Sequence, residues 1–429
     1  MNLRPKSGTM NRIMNPAAQN PAPKGRCRRA AVAACVACLA GVFACRAVGD
    51  ETEMQAEPLP LDMLRAFAEA FVRIKRDYVE PVDDEQLLEY AIRGMTYGLD
   101  PHSAYLEPES YRHLHEGTVG RQFGGLGLQV DMKNGRIVIV APIEDTPADR
   151  AGLHSGDVIV EIDGKSAKGL QLQEAVKIMR GRPGTRLSLT VLREGSEEPL
   201  TFEIKRDVIR LKSVKRRLLE PGYALLRITH FQERTARDLV EALEKLRHES
   251  DIPLEGAILD LRNNPGGILN AAVAVSSLFL KSGTIVSTEG RRADANLSFN
   301  AKPDDVLKGR PLVVLVNRGS ASASEIVAGA LQDHGRAPIL GEKTFGKGSV
   351  QSILTMKNET ALKLTTAHYY TPNGRSIHEQ GIVPDFVSNE AGHARPSELD
   401  PGEDPQIQRA LEKLKVMYLV YKQQQEQSS

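Results

Sequence analysis

The chain has 429 residues, of which 56 are Lys or Arg, 55 are Asp or Glu and 41% are hydrophobic. This length accommodates two or three domains with a sizeable core. Because the formal net charge is only +1, the charge balance gives no indication of nucleic acid as a partner.

Residues 1–49 are predicted to be an export signal or membrane anchor. Residues 1–29 include no acidic residue, and residues 30–44 form an apolar run. Fifteen helical residues span about 22 Å, less than the ~30 Å hydrocarbon core of a bilayer, which favours an export signal over a permanent span. All four cysteines lie at or before Cys45, so no disulfide or cysteine metal site is expected in the remainder. Cys45 loosely resembles a lipidation site, although Phe43 is bulky for it; cleavage near Ala47 and retention as an anchor are the alternatives.

A linker and a helical region are predicted next. Residues 50–60 are acidic and contain proline, as a linker would. Residues 61–116 carry helical apolar spacing around Phe67 and again over residues 84–97, and a third short helix is expected at residues 108–115. A turn is predicted at residues 99–103.

Residues 117–206 have short strands, turns and frequent glycines. The segment GGLGL at residues 124–128 and the later run ADRAGLHSGDVIVEIDG resemble the PDZ domain. The resemblance implies that the backbone amides of a short loop bind the C-terminal carboxylate of a peptide, which adds as a strand to the edge of the sheet. The loop consists of Gly125, Leu126, Gly127 and Leu128. A glycine-rich hairpin before an unrelated α+β domain is the alternative.

Residues 207–395 are predicted to alternate between strands and helices. Strands are expected at 222–229, 257–261, 311–316 and 362–370, and helices at 235–247, 268–280 and from about residue 324. Residues 396–429 are predicted to form a helix over 404–421 and a polar tail.

Three serines, Ser320, Ser322 and Ser324, follow a buried strand and open a helix, where a nucleophile would be exposed. A serine needs a base, but His334 lies at the far end of that helix, about 15 Å away. Lys347, between two glycines, could act as base if burial kept its amine neutral.

The run NRGSASASEI followed by TFGKGSVQ resembles the carboxyl-terminal processing peptidases, as do LDPHSAYLEPE, DLRNNPGG and GIVPD. The resemblance implies a multidomain α+β and α/β fold, with a PDZ-like β-sandwich domain, a crotonase-like ββα peptidase core, and helical segments at both ends. It implies Ser322 as nucleophile, Lys347 as general base and Gln351 as the amide that orients the lysine. The implied oxyanion donors are the amides of Gly267 and Ala323, and no metal or other cofactor is expected.

The leading hypothesis is therefore a serine endopeptidase, exported to the bacterial periplasm or cell envelope, that binds substrates by their C-termini. A non-catalytic PDZ scaffold and an enzyme of acyl-CoA chemistry are the alternatives. Homo-oligomers through the terminal helices and an adaptor or activating protein are further expectations. Arg180 could couple the PDZ-like domain to the active site or be a solvated charge.

Overall fold

The computed structural model describes residues 60–112, 124–209, 212–388 and 401–427. The predicted export signal, residues 50–59 of the predicted linker and the end of the third predicted helix lie outside the described residues. Within these ranges, no helix is both long and apolar enough to cross a membrane.

The chain divides into two units, residues 1–80 and 81–429. In the first unit, helix α1 spans Leu61–Asp77, and none of its residues is buried. Its apolar side chains, among them Phe67 and Val72, are exposed. The amphipathic helix predicted here is confirmed, and its apolar face is uncovered among the described residues of this unit.

The second unit begins with helix α2, Asp84–Tyr97, and the short strand β1, Ala104–Leu106. Residues 99–103 form the turn between them, as predicted, and Asp100 holds this turn through hydrogen bonds from the backbone of His102 and Ser103. Residues 108–112 are helical. Strand β1 was not predicted.

The predicted PDZ-like domain contains a sheet of order β3-β4-β5-β7-β8, in which β6 pairs with β5. Its elements are β3 (Leu128–Lys133), β4 (Arg136–Pro142), α3 (Pro147–Arg150), β5 (Val158–Ile162), β6 (Lys165–Ser166), α4 (Leu172–Met179), β7 (Arg186–Leu192) and β8 (Leu200–Lys205). A separate two-stranded ribbon joins β2, Gly124–Gly125, to β9, Asp207–Val208, where the chain enters and leaves the domain. Strand β3 is at the edge of the sheet, and Val130 on β3 shares a core with Ala175 and Met179 of α4. The domain therefore has an edge strand beside a helix. A peptide can add to such an edge as a further strand.

The predicted peptidase core is built on a six-stranded sheet of order β10-β11-β12-β15-β16-β19. Its elements are β10 (Val214–Glu220), β11 (Tyr223–Ile228), α5 (Thr235–Glu249), β12 (Gly256–Asp260), α6 (Leu269–Ser277), β13 (Thr284–Glu289), β14 (Leu297–Asn300), β15 (Leu312–Val316), α7 (Ala323–Asp333), β16 (Ile339–Gly341), β17 (Ser349–Thr355), β18 (Ala361–Tyr370) and β19 (Phe386–Val387). Within this sheet, neighbouring strands in the series β11, β12, β15, β16 and β19 pair in parallel, and β10 pairs with β11 in antiparallel fashion. The central strands β12 and β15 are buried along their whole length because helices cover both faces of the sheet.

A second, antiparallel sheet lies within the same unit. Strand β18 pairs with β1, β13 and β17, and β14 pairs with β13. Strand β17 directly follows the loop that carries Lys347, so this sheet positions the predicted general base.

The last helix, α8, spans Pro405–Gln427. Its first half packs against the parallel sheet through Ile407, Ala410, Leu411 and Leu414, whereas Leu419 near its end is exposed. This helix is therefore part of the core of its own chain. The predicted multidomain α+β and α/β fold, with helices at both ends, is confirmed.

Candidate active site

The predicted nucleophile lies where strand β15 turns into helix α7. Ser322 directly precedes α7 and has φ 54° and ψ −111°. A positive φ is uncommon for a residue other than glycine, and such strained positions concentrate at active sites. The helix begins one residue later, at Ala323, and the alternating small residues permit this tight turn.

The two neighbouring serines have structural contacts. The Ser320 hydroxyl donates to the carbonyl of Leu261 at 2.8 Å and accepts from the backbone of Asn317 at 3.0 Å. The Ser324 hydroxyl donates to the carbonyl of Asn264 at 2.8 Å. Both residues are fully buried.

The turn around Gly266 and Gly267 lies directly against the Ser322 turn. A Cβ at Gly266 would be 2.8 Å from the Ser322 Cβ and 3.1 Å from the Ala323 nitrogen. The Ala321 N–H donates to Asn264 O at 3.0 Å, which ties the two turns together. No acceptor within the described ranges receives the N–H of Gly267 or Ala323. The structure thus brings the two predicted oxyanion donors into adjacent turns.

A buried carboxylate, that of Glu325, joins the nucleophile turn to the lysine loop. Its Oε2 accepts from the backbone N–H of Ser322 at 2.7 Å and of Lys347 at 2.9 Å. Its Oε1 accepts from the Thr344 hydroxyl at 2.6 Å and from the Gly346 N–H at 2.7 Å. Burial raises the pKa of Glu325, and these four hydrogen bonds oppose that shift.

The ammonium of Lys347 is paired with the PDZ domain. Lys347 Nζ lies 2.7 Å from Asp131 Oδ2, and the two side chains are only 16% and 3% exposed. His102 Nδ1 lies 3.2 Å from the other carboxylate oxygen of Asp131. Burial lowers the pKa of His102, while the neighbouring Asp131 raises it. Among the described residues, the hydrogen bond of the Lys347 side-chain amine is therefore to Asp131 and not to Ser322.

Gln351, the predicted orienting amide, donates from Nε2 to the Ser349 hydroxyl at 2.8 Å. An extended segment would have placed Gln351 and Lys347 on one face. However, β17 begins only at Ser349, and its pairing with β18 shifts register between Val350 and Gln351. The regular alternation assumed for this segment is therefore interrupted just before Gln351.

Two other predicted features have clear positions. His334 lies at the end of α7, where its Nε2 is 2.7 Å from the carbonyl of Thr284. Arg180 lies at the C-cap of α4 and is exposed. Among the described residues, no three His, Cys, Asp or Glu side chains are grouped so that they could hold a metal ion.

The predicted carboxylate-binding loop connects β2 to β3. Gly127 has φ +78°, and a Cβ there would be 2.2 Å from the Thr146 Cβ. The carbonyls of Leu126 and Gly127 accept hydrogen bonds from Ala148 and Ile143. These contacts fix the loop at the start of the free edge of β3.

Comparison with known proteins gives matches over three parts of the chain. Peptidase family S41 matches residues 222–388, the PDZ domain matches residues 124–205, and the N-terminal domain of the activating protease CtpB matches residues 43–110. The chain is 49% identical over 327 residues to the carboxy-terminal-processing protease of Bartonella bacilliformis, a match that covers 76% of this chain and 74% of that protein. The chain belongs to the carboxy-terminal processing proteases of family S41. These are serine proteases, and this member carries a PDZ domain.

Other relatives agree with this assignment. The chain is 38% identical to the carboxy-terminal processing protease CtpA of Bacillus subtilis, over 77% of this chain and 70% of that protein. The solved structure of a photosystem II D1 C-terminal processing protease superposes with a TM-score of 0.66 at 29% identity, covering 76% of this chain and 94% of that one. The family predicted from the sequence is confirmed.

Sequence reasoning missed three residues of the site: Glu325, Asp131 and His102. Glu325 had a detectable signal, because Ser322-x-x-Glu325 has the spacing of a capping box at a helix start. Asp131 had no such signal, because it alternates with Gln129 and Lys133 as the polar positions of an ordinary half-exposed strand do. His102 had none.

Proposed function

We propose that this protein is an exported serine endopeptidase in which Ser322 is the nucleophile and Lys347 the general base. The observation that carries the proposal is the strained backbone of Ser322 at a helix start, held beside Gly266 and joined to the lysine loop by Glu325. The basic and apolar residues 1–49 support export to a bacterial periplasm or cell envelope, with or without a retained anchor.

In the proposed reaction, neutral Lys347 accepts the Ser322 proton while Ser322 attacks the scissile carbonyl. The amides of Gly267 and Ala323 stabilise the oxyanion, and the start of helix α7 adds a favourable dipole. Lys347 then protonates the leaving amine, and water hydrolyses the acyl-enzyme with the lysine again as base. The role proposed for Gln351 is to orient the lysine amine once Lys347 has left Asp131.

Substrates are proposed to be proteins or peptides bound by their C-termini. The loop Gly125, Leu126, Gly127 and Leu128 would hold the carboxylate, and the tail would add as a strand to the free edge of β3. Self-association and an adaptor or activating protein are compatible with this proposal and independent of it.

Labelling with a fluorophosphonate probe, together with degradation of an unstructured protein that has an apolar C-terminal tail, tests the proposal. Ser322→Ala should abolish both labelling and degradation, and Lys347→Ala should reduce both by about 10²-fold or more, as loss of a general base does. Undiminished proteolysis by Ser322→Ala would refute the assignment. A PDZ scaffold or an acyl-CoA enzyme would neither label nor degrade the substrate.

The neighbouring serines provide matched controls. Ser324→Ala removes one buried hydrogen bond and Ser320→Ala removes two, each worth about 1 kcal/mol, so both variants should still label at Ser322. Loss of labelling in either variant, with its fold intact, would point to a different nucleophile.

A further inference from the structure

A cavity of about 320 Å³ lies near the end of strand β3, and its walls come from two parts of the chain. One wall belongs to the PDZ domain and includes Met132 on β3 together with Leu172 and Gln173 at the start of helix α4. The other wall is formed by the turn before β1 and includes Leu99 and Asp100. The cavity is therefore completed by residues outside the PDZ domain.

The cavity lies at the end of the groove between β3 and α4, where substrate tails are proposed to bind, so the inference rests on that proposed function. Strand β3 pairs only with β4 among the described strands, which leaves its other edge open. The side chains of Leu128, Val130 and Met132 pack on the core that α4 covers. These alternate residues therefore define the face of β3 that a bound tail shares with the helix.

The register of an added tail follows from the strand period. When the loop from Gly125 to Leu128 holds the terminal carboxylate, an antiparallel tail places its last residue opposite Leu128 and every second residue before it on the same face. The third residue from the end then lies opposite Val130, and the fifth lies opposite Met132. Four residues of strand extend about 14 Å, so the fifth side chain from the end reaches the cavity.

Two polar groups of the cavity are available to that side chain. Gln173 Nε2 is buried and has no hydrogen-bond partner among the described residues, so an acceptor on the tail would satisfy it. Asp100 Oδ2 accepts from the Ser103 hydroxyl at 2.7 Å, and a carboxylate oxygen can accept a further hydrogen bond. Burial raises the pKa of Asp100, but hydrogen bonds from Ser103 and His102 leave it below its ordinary value, so the carboxylate is charged at neutral pH.

A donor on one wall and a charged acceptor on the other favour a side chain that both accepts and donates. A carboxylate on the tail would accept from Gln173 but be repelled by Asp100, and a cation would leave Gln173 without an acceptor. An aliphatic side chain would satisfy neither group. A primary amide satisfies both, because its carbonyl accepts from Gln173 while its NH₂ donates to Asp100. The methylenes of a glutamine would also contact the apolar Met132 and Leu172.

We propose that this cavity is a specificity subsite that binds a glutamine side chain at the fifth residue from the C-terminus of a substrate. The turn that carries Asp100 thereby extends recognition of the tail beyond the PDZ domain. Gln173 and Asp100 determine specificity and take no part in the chemical step.

The test measures binding of fluorescent tail peptides to the full-length Ser322→Ala protein, which does not cleave them, by fluorescence anisotropy. The peptides share their apolar last residues and carry glutamine, leucine, glutamate or lysine at the fifth residue from the end. Glutamine should bind about 10-fold more tightly than leucine, about 3-fold for each of two hydrogen bonds. Glutamate should bind about 10-fold or more weakly than glutamine because Asp100 repels it. The same series at the residue next to the last, which faces away from the groove, should show no such order.

Variants of the two polar groups identify the source of the preference. Gln173→Met keeps the length of the side chain and removes the donor, so the preference for glutamine over leucine should fall to about 3-fold. Lys177→Met is the matched control, because it introduces the same side chain at an exposed position of the same helix. Asp100→Asn should reduce the discrimination against glutamate. Each result is a ratio between two peptides on one protein, so a general loss of affinity or stability does not alter it.

Equal binding of the glutamine and leucine tails overturns the subsite, and so does a discrimination that survives either substitution in full. A lysine tail that binds more tightly than the glutamine tail overturns the choice of an amide. The proposed tail binding is checked separately with a C-terminally amidated glutamine peptide, which should bind at least about 10-fold more weakly. If tail binding itself is wrong, amidation has no effect. If only the subsite is wrong, amidation weakens binding and the fifth residue does not matter.

Discussion

Replacement of Glu325 by Gln tests whether one buried carboxylate aligns the nucleophile with the base. Glu325 accepts two hydrogen bonds on each oxygen, from Ser322 and Lys347 on one and from Thr344 and Gly346 on the other. A glutamine has a single amide oxygen, so one pair of donors would face an NH₂ group instead.

The expected loss of stability follows from the two buried donors that would be left without an acceptor. A buried donor left without an acceptor costs about 1–3 kcal/mol, so the substitution should cost about 2–6 kcal/mol in total. Displacement of the Ser322 and Lys347 backbones relieves part of that cost and misaligns the reacting groups. If about 3 kcal/mol is lost from the transition state, kcat falls by about 10²-fold. KM should change little because Glu325 is buried and does not contact substrate.

The assay is steady-state cleavage of a fluorogenic peptide with an apolar tail, with thermal unfolding measured in parallel. Glu342→Gln is the matched control, because Glu342 lies at the start of the loop that carries Lys347 and pairs with the largely exposed Arg318. That control should retain nearly full activity, since exposed ion pairs contribute about 0–1 kcal/mol. A folded Glu325→Gln variant with unchanged kcat would refute the alignment role.

Two further predictions concern the oxyanion turn and pH. Gly266→Ala should abolish probe labelling at Ser322, because the new Cβ at φ +102° would lie 2.7 Å from Ala321 O and 2.8 Å from the Ser322 Cβ; normal labelling would show that the turns separate freely. Burial lowers the pKa of His230 from 6.5 to about 4, so the unfolded chain binds the proton first and stability falls as pH drops from about 6.5 to about 4. His230→Gln should reduce that fall in chemical denaturation at pH 7 and 4.5, and an identical fall in both proteins would contradict this reasoning.

The elements predicted from sequence are those with a strong local pattern. Strands β12 and β15 are buried, predominantly apolar runs, and helix α5 has a clear amphipathic periodicity. Strands β1 and β10 were missed for a physical reason. The three residues of β1 are stabilised by pairing with β18, far along the chain, and β10 has the half-exposed, basic sequence VKRRLLE.

The features of the candidate site also differ in how far local sequence predicts them. Ser322, Gly267 and Ala323 lie in turns that a local motif identifies. The partner of Lys347 could not be predicted, because Asp131 is 216 residues away and belongs to another domain. The register shift beside Gln351 also depends on the pairing of β17 with β18. Local sequence thus indicates which residues carry the chemistry, and non-local contacts decide which state those residues adopt.

A second charged contact between the PDZ domain and the core is more extensive than the one at Lys347. Glu144, after β4, bonds to Arg227 of β11 at 2.6 Å and to Lys215 of β10 at 2.9 Å. Arg227 also bonds to Asp260 at 2.6 Å, and Asp260 in turn bonds to the buried Arg262. Breaking one buried pair leaves an uncompensated charge, at a cost of about 3–5 kcal/mol, and this network would leave several. The contact at Lys347 is smaller, because it joins one lysine to the carboxylate of Asp131, whose other oxygen lies 3.2 Å from His102 Nδ1. Separation of the PDZ domain from the core would therefore cost most at Glu144 and its buried partners, so this contact is the main electrostatic tie between the domain and the sheet beneath the oxyanion turn.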